Sequence, residues 1–443
     1  MFHKALFILG HQCIDRNFYP RYKILNQNQW KNYEELKERQ EKNLRQMIKF
    51  AYHNVPYYHK LFDNLKLNVD DIKKIEDLEK LPILTKEIIK NNWEEFKPAN
   101  LDKMKYYNNA TGGSTGTPFR YRLHKFDRLL GSASMYHAWG FGGYRLGDKT
   151  IFIGGSSLSI GAKPKLAKNV NEFSRNIKML SSFDMDEEKM KQYVNVINSF
   201  KPKFIRGYAS SIYFLSKWIE ENDVKIHQPL ATFTTAEKLY PNMREKIRDV
   251  FYCDVYDGYG LNDGGIHAAE CPEHSGLHII TERNVTEIVD EETNQLSNGE
   301  GKIIATSLYN YAMPFIRYDT GDIGNITDDV CSCGRGYTLL KDIVGRSVDF
   351  LITPEGKNVH GWFFLYIFWE FSKGIKEYQV IQKKLDKIII KIVREDDFEE
   401  KRLDQIREIV REKSEEWDIE FKFVDKIDRT KAGKYKFIIN EIN

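Results

Sequence analysis

At 443 residues the chain is too long for one small module, and its length predicts two or three domains. A hydrophobic fraction of 41%, with 30% charged and 13% aromatic residues, describes a chain able to bury a core and excludes a mostly disordered one. Lys and Arg number 67 against 64 Asp and Glu, a formal net charge of +3; with so little counterion-release energy available and no local basic stripe, nucleic acid is excluded as a partner.

In chain order, the apolar stretch within Met1 to Gly10 is too short for a secretory signal or a span. No later window approaches about eighteen consecutive apolar residues, so no transmembrane segment and a cytoplasmic location are expected. Leu44, Met47, Ile48 and Ala51 recur at helical spacing and predict a helix over 34–52, which Pro56 brings to a stop. From about residue 150, short β-rich runs (Ile151 to Ile153, Phe204-Ile205, Ala231 to Phe233) alternate with amphipathic stretches (Met190, Tyr193, Val194, Ile197; then Ile212, Leu215, Ile219). That alternation predicts a parallel or mixed sheet covered by helices. Asp290 to Gly301 is polar and reads as a surface hairpin or loop. After Gly345 the texture changes: strands are predicted at 377–382, 387–393 and 419–424 and a helix at 398–415, together a small α+β domain. The aromatic run 361–371 reads as a buried helix on that domain's sheet rather than a membrane or partner contact.

Five cysteines, at 13, 253, 271, 331 and 333, are too few and too scattered for a disulfide scaffold. Cys271 and His278, then Cys331 and Cys333, offer four soft or borderline ligands suited to a tetrahedral structural Zn²⁺, with His274 as the competing histidine. Thr111-Gly112-Gly113-Ser114-Thr115-Gly116-Thr117-Pro118 packs three glycines and four hydroxyl residues into eight positions. Backbone amides in such a loop can turn inward on an anion, and hydroxyls add donors to phosphate oxygens. It lacks the Gly-Lys-Ser/Thr ending of a Walker loop and the spacing of a dinucleotide fingerprint.

This loop resembles the phosphate loop of adenylate-forming enzymes, in the form used by the phenylacetate-CoA ligase and capsular-polysaccharide branch. Four further segments resemble that family's motifs in the same order: Tyr256 to Asp263 the adenine motif, Pro314 to Asp322 the ribose motif, Gly345 to Asp349 the hinge, and Asp428 to Lys434 the C-terminal lysine loop. The resemblance implies an α/β fold with α+β elements: a large domain of helix-covered sheets, 1–345, holding acid and ATP, and a small mobile α+β lid, 346–443. Tyr259 offers a flat face for adenine and Asp322 accepts from the ribose hydroxyls. Asp263 would hold Mg²⁺, and Arg346 and Lys434 would supply positive charge where the α-phosphorus gathers negative charge.

Two positions depart from the family pattern. Asp263 stands where the metal-binding glutamate is usual, its reach about one methylene shorter. Val348 stands where an acidic residue or lysine is usual in the hinge. The activity implied is ATP-dependent adenylation of a carboxylic acid, then acyl transfer to coenzyme A. An amine acceptor in surface-polysaccharide assembly is the alternative, and a nucleotide-binding protein without catalysis the alternative of another class. Trp139, Phe141 and Tyr144, after the phosphate loop, are candidates for the acid pocket or for plain core.

Overall fold

A computed structural model describes residues 2–111, 119–154, 165–182, 185, 187–346, 350–356, 358–360, 363–364, 367–368, 373–430 and 435–442. The chain divides into two compact units, Met1–Val344 and Gly345–Asn443.

The first unit opens with helices α1 (Phe2–Ile14), α2 (Phe18–Asn28), α3 (Tyr33–Asn54) and α4 (Pro56–Leu65). Asn32 caps α3 by accepting from the Glu35 amide at 2.9 Å, and Glu34 and Glu35 in the first turn oppose the positive end of the helix dipole. Leu44, Met47, Ile48 and Ala51 form its buried stripe. Val55 is extended, as a residue before proline prefers, and Pro56 then serves as the first residue of α4. Further on come α5 (Lys86–Asn91), the hairpin β1 (Tyr106–Thr111) and β2 (Phe119–His124), and α6 (Lys125–Phe141). Thr111 pairs with Phe119, closing the base of the stretch 112–118, which lies outside the described residues.

The predicted alternation is present as β3 (Thr150–Gly154), α7 (Lys165–Arg175), β4 (Ile177–Ser181), α8 (Glu187–Phe200), β5 (Phe204–Tyr208), α9 (Ala209–Glu221), β6 (Ala231–Thr235), α10 (Pro241–Phe251) and β7 (Asp254–Tyr256). Among the described residues these strands form a parallel sheet in the order β4-β3-β5-β6-β7. Its register sets Phe152, Arg206 and Phe233 side by side across three strands.

The chain then builds a second sheet from β8 (Gly258–Leu261), β9 (Ile266–Glu270), β10 (Leu277–Ile279), β11 (Asn284–Val289), β12 (Gly299–Ser307), β13 (Tyr318–Thr327) and β14 (Leu339–Arg346), in the order β11-β12-β13-β14-β10-β9-β8. The polar 290–301 stretch is the connection between β11 and β12 and the start of β12 itself. One apolar core, with Leu44, Ile48, Tyr58, Phe315 and Tyr318, lies between α3, α4 and this sheet. A second, with Phe7, Leu25, Tyr136, Phe204 and Phe233, joins α1, α2 and α6 to the parallel sheet.

The second unit has a hairpin, β15 (Phe350–Ile352) and β16 (Asn358–His360), then β17 (Ile375–Lys384), β18 (Lys387–Arg394), the helix α11 (Lys401–Arg411), β19 (Asp418–Phe423) and β20 (Ile438–Asn440). Its sheet order is β19-β18-β17-β20, and Ile406 and Val410 form the buried face of α11. The aromatic run 361–371 lies mostly outside the described residues; Phe364, Ile367 and Phe368 within it are buried. No helix among the described residues is long and apolar enough to cross a membrane.

Candidate functional site

β13 carries the site's first acid. Its pairing with β12 shifts register between Lys302 and Ile304, so Thr320, Gly321 and Asp322 stand opposite Ile303 alone, a local irregularity of the ladder at the site. Gly321 takes φ +76°, its amide donates to Asp319 Oδ1 at 2.7 Å, and Thr320 Oγ1 both donates to the Ile303 carbonyl and accepts from the Asp322 amide. Asp322, thus fixed, accepts from the Tyr259 hydroxyl at 2.7 Å, and Tyr259 on β8 is half-buried. Burial and the Asp322 carboxylate push the Tyr259 hydroxyl well above its ordinary value, so it stays a donor at neutral pH.

Asp263 lies in the turn from β8 to β9 and is almost wholly buried. Its Oδ2 accepts from Tyr318 at 2.8 Å, while Oδ1 has no partner among the described residues. Burial raises its pKa; the Tyr318 hydroxyl and Lys86 act in the opposite direction, and Asp322 adds to the rise. The turn is tight: Gly265 takes φ +76°, and a Cβ on Gly264 would come within 2.9 Å of Ala305 Cβ. Arg283 braces it, donating to the Asn262 carbonyl at 3.4 Å and to both oxygens of Asp127 at 2.9 Å in a buried fork.

Arg317, in the motif beside Asp322, faces away from this cluster. Buried with φ +53°, it pairs with Glu287 at 3.1 Å and donates to the Leu81 and Thr293 carbonyls. Leu84 bonds the backbone of Arg317 and Asp319, a single parallel bridge to Tyr318 that ties this segment to the start of β13.

A cleft of about 380 Å³ of empty space, its mouth included, adjoins Tyr259. Trp139, Arg206, Phe233, Tyr256 and His267 are among its lining. Of the three aromatics singled out in sequence, only Trp139 reaches it. Tyr144 packs on Phe204 and Trp139, and Phe141 lies against Arg335, Tyr337 and His278. Arg206 and His267 were missed by sequence reasoning. The available signal was a cation or an imidazole inside an apolar strand, Phe204 to Tyr208 and Ile266 to Glu270.

The second constellation is assembled by three neighbouring strands. Cys271 follows β9, His278 is on β10, and Cys331 and Cys333 stand in the turn leading to β14, where Gly334 takes φ +79°. The ligand atoms of all four lie within 4.8 Å of one another, with Cys271 Sγ to Cys331 Sγ at 3.6 Å and Cys333 Sγ to His278 Nε2 at 3.4 Å. A tetrahedral ion with Zn–S bonds of ~2.3 Å needs ligand separations of roughly 3.8 Å, so this donor set fits zinc. Burial pushes the Cys271 thiol up to about 12 and the His278 imidazole down to about 4; the neutral imidazole is the form that ligates. His274 is occupied elsewhere, 3.2 Å from Glu270, which also holds Arg244. The cysteine turn is wedged against the N-terminal helices: Arg335 lies over the Phe141 ring at 4.3 Å and donates to Gln29, and a Cβ on Gly336 would meet the Lys31 carbonyl at 1.8 Å.

Thr111 is the last residue of β1 and Arg346 the last of β14; only their backbones are described. Gly112, Gly113, Ser114, Thr115, Gly116, Thr117, Val348 and Lys434 lie outside the described residues.

The architecture is similar in fold to solved CoA ligases that hold an acyl-adenylate. The crystal structure of a 2-hydroxyisobutyryl-CoA ligase in its postadenylation state aligns with a TM-score of 0.74 at 17% identity, over 94% of this chain and 91% of that one. More particularly, residues 351–441 match the family model described as the CapK C-terminal domain. Protein CapK of Staphylococcus aureus is 26% identical over 396 residues, 88% of this chain and 86% of that protein. A phenylacetate-coenzyme A ligase of Thermus thermophilus is 25% identical over 374 residues, 79% of each. The resemblance carried by the five motifs is thus borne out in sequence relatives and in fold.

Proposed function

We propose that this chain joins a carboxylic acid to the α-phosphate of ATP, releasing pyrophosphate, and then passes the acyl group from the acyl-adenylate to the thiol of coenzyme A. The observation that carries the reading is a pair of tyrosine-held acids: Asp322 held by Tyr259, which lines the cleft, and Asp263 held by Tyr318 with one buried oxygen left over. In this reading Asp322 binds the ribose hydroxyls and Tyr259 presents its ring to adenine. The free oxygen of Asp263 is suited to Mg²⁺, which when bound supplies charge neutralisation for the triphosphate. Arg283 positions Asp263 through the Asn262 carbonyl. The Thr111 to Thr117 loop holds the phosphates, and Arg346 and Lys434 meet the charge that develops at the α-phosphorus. Residues 1–345 act as the adenylation domain and 346–443 as a mobile lid. Cys271, His278, Cys331 and Cys333 hold a structural Zn²⁺, which when bound ties the turn before β14 to β9 and β10.

Coenzyme A is preferred as acceptor because the relatives named phenylacetate-coenzyme A ligase share about a quarter of their aligned residues with this chain. Acid-dependent ATP–pyrophosphate exchange tests the first half-reaction over a panel of aryl, short aliphatic and amino acids. Exchange that needs an added acid supports the reading, and ATP turnover to ADP and phosphate contradicts it. Thioester formation with coenzyme A, read against amide formation with added amines, tests the acceptor.

A further inference from the structure

Arg206 stands on the wrong face of its strand for a surface cation. Side chains alternate along β5, so Phe204, Arg206 and Tyr208 share one face, and Phe204 is in the core with Ala231 and Phe233. The guanidinium is half-buried between two rings, its Cζ 4.8 Å from the Trp139 centroid and 5.1 Å from the Phe152 centroid. Stacking of this kind uses the faces of the guanidinium and leaves its in-plane N–H fork available. No described residue takes that fork in a hydrogen bond or ion pair, and burial pulls the Arg206 pKa down to about 10, which still leaves it charged at neutral pH.

The acids that line the same cleft are committed elsewhere. Glu270 forks onto Arg244 at 2.7 and 3.0 Å, and Asp257 accepts from the Thr234 hydroxyl at 2.6 Å. Across the cleft, His267 has its Nδ1 buried without a partner, and burial with Arg283 and Arg206 nearby lowers its pKa to about 3, so it is a neutral hydrogen-bonding group. A partly desolvated cation with no counter-charge among the described residues is costly to keep. That cost is recovered when the anion arrives with the substrate.

We infer that Arg206 is a specificity-determining residue: the acid this protein takes carries, besides the carboxylate that reacts, a second anionic group that docks bidentately on Arg206, with its carbon frame against Trp139 and Phe233. The proposal rests on the adenylation reading above and names the substrate class for it: short dicarboxylic acids, or acids ending in a sulfonate or phosphate, in preference to plain alkyl or aryl acids. The limited volume of the cleft favours a short frame over a long acyl chain.

Matched probes test this without catalysis. Isothermal titration in the absence of ATP compares glutarate with pentanoate, and terephthalate with 4-methylbenzoate. In at least one pair the wild type should bind the dianion about 10- to 100-fold more tightly, the discrimination expected for one charge-assisted contact. Arg206→Met should erase the preference and Arg206→Lys, which keeps the charge, should retain part of it; unchanged melting temperatures establish that the variants fold. Equal binding within both pairs, or binding of no probe, overturns the assignment. So does an Arg206→Met variant that weakens ATP or coenzyme A binding and leaves the acids untouched, because the fork then serves a phosphate of those substrates. ATP–pyrophosphate exchange run on the same pairs separates the two readings: dianion-selective binding without exchange removes adenylation and leaves the role of Arg206 standing, whereas exchange indifferent to the second charge does the reverse.

Discussion

Asp263 places one carboxylate oxygen on the Tyr318 hydroxyl and leaves the other buried and unpaired, an arrangement that penalises the ionised form until a cation is added. If Asp263 holds Mg²⁺, Asp263→Asn lowers Mg-dependent pyrophosphate exchange by a factor on the order of 10² while AMP binding, which rests on Tyr259 and Asp322, changes little. Asp263→Glu restores the family's common residue and should retain or raise exchange; loss of exchange in a folded Glu variant would show the turn rebuilt around aspartate. A second residue predicts a pH effect. Glu282, facing Tyr337, is raised from 4.5 to about 7, chiefly by burial. Between those values the folded chain holds a proton that the unfolded chain releases, so this group's contribution to stability is present below 4.5 and lost as pH rises through 7. Glu282→Gln cannot ionise, so its melting temperature relative to wild type should become more favourable from about pH 5 to about pH 8. A difference constant with pH would mean that the carboxyl titrates at its ordinary value. Tyr259, Asp263, Asp322 and the Cys/His set were legible in sequence because a motif or a ligand spacing announces each. Asp127 and Arg283 were not: 156 positions separate them, and their pairing exists only once α6 packs beside the β8–β9 turn.

At the level of elements, β3, β5 and β6 of the parallel sheet were readable as short apolar runs, with the buried stripes of α8 and α9 before and after β5; β4, none of whose residues is fully buried, and the three-residue β7 carry no such run. The second sheet was harder. β10 has three residues, and although burial alternates along β13, its inward positions include Thr320, Asp322 and Gly324, so neither strand shows an apolar period-two pattern in sequence. Yet β9, the short β10 and the turn before β14 bring the candidate ligands Cys271, His278, Cys331 and Cys333 together. Protein purified without added metal should contain close to one zinc per chain. Cys331→Ser should lose it and melt roughly 5 °C or more lower, since a structural zinc contributes directly to folding free energy. A zinc-free protein of unchanged stability would remove the site.

For the whole molecule, the change of texture after Gly345 coincides with the boundary between the two compact units. What that division does is a matter for kinetics. If the second unit is a lid that brings Lys434 to the α-phosphate only for adenylation, Lys434→Ala cuts the first half-reaction by about 10² to 10³ and largely spares acyl transfer from a supplied acyl-adenylate. Equal losses in both half-reactions would argue against a lid with two positions. In the proposed adenylation a carboxylate oxygen of the substrate bonds to the α-phosphorus. That step is tested most directly by following ¹⁸O from the carboxylate of an acid that supports turnover, with mass spectrometry of the nucleotide product. AMP carrying one ¹⁸O atom is expected, because transfer of the acyl group leaves the bridging oxygen on phosphorus. Unlabelled AMP, or ADP with labelled phosphate, would contradict it.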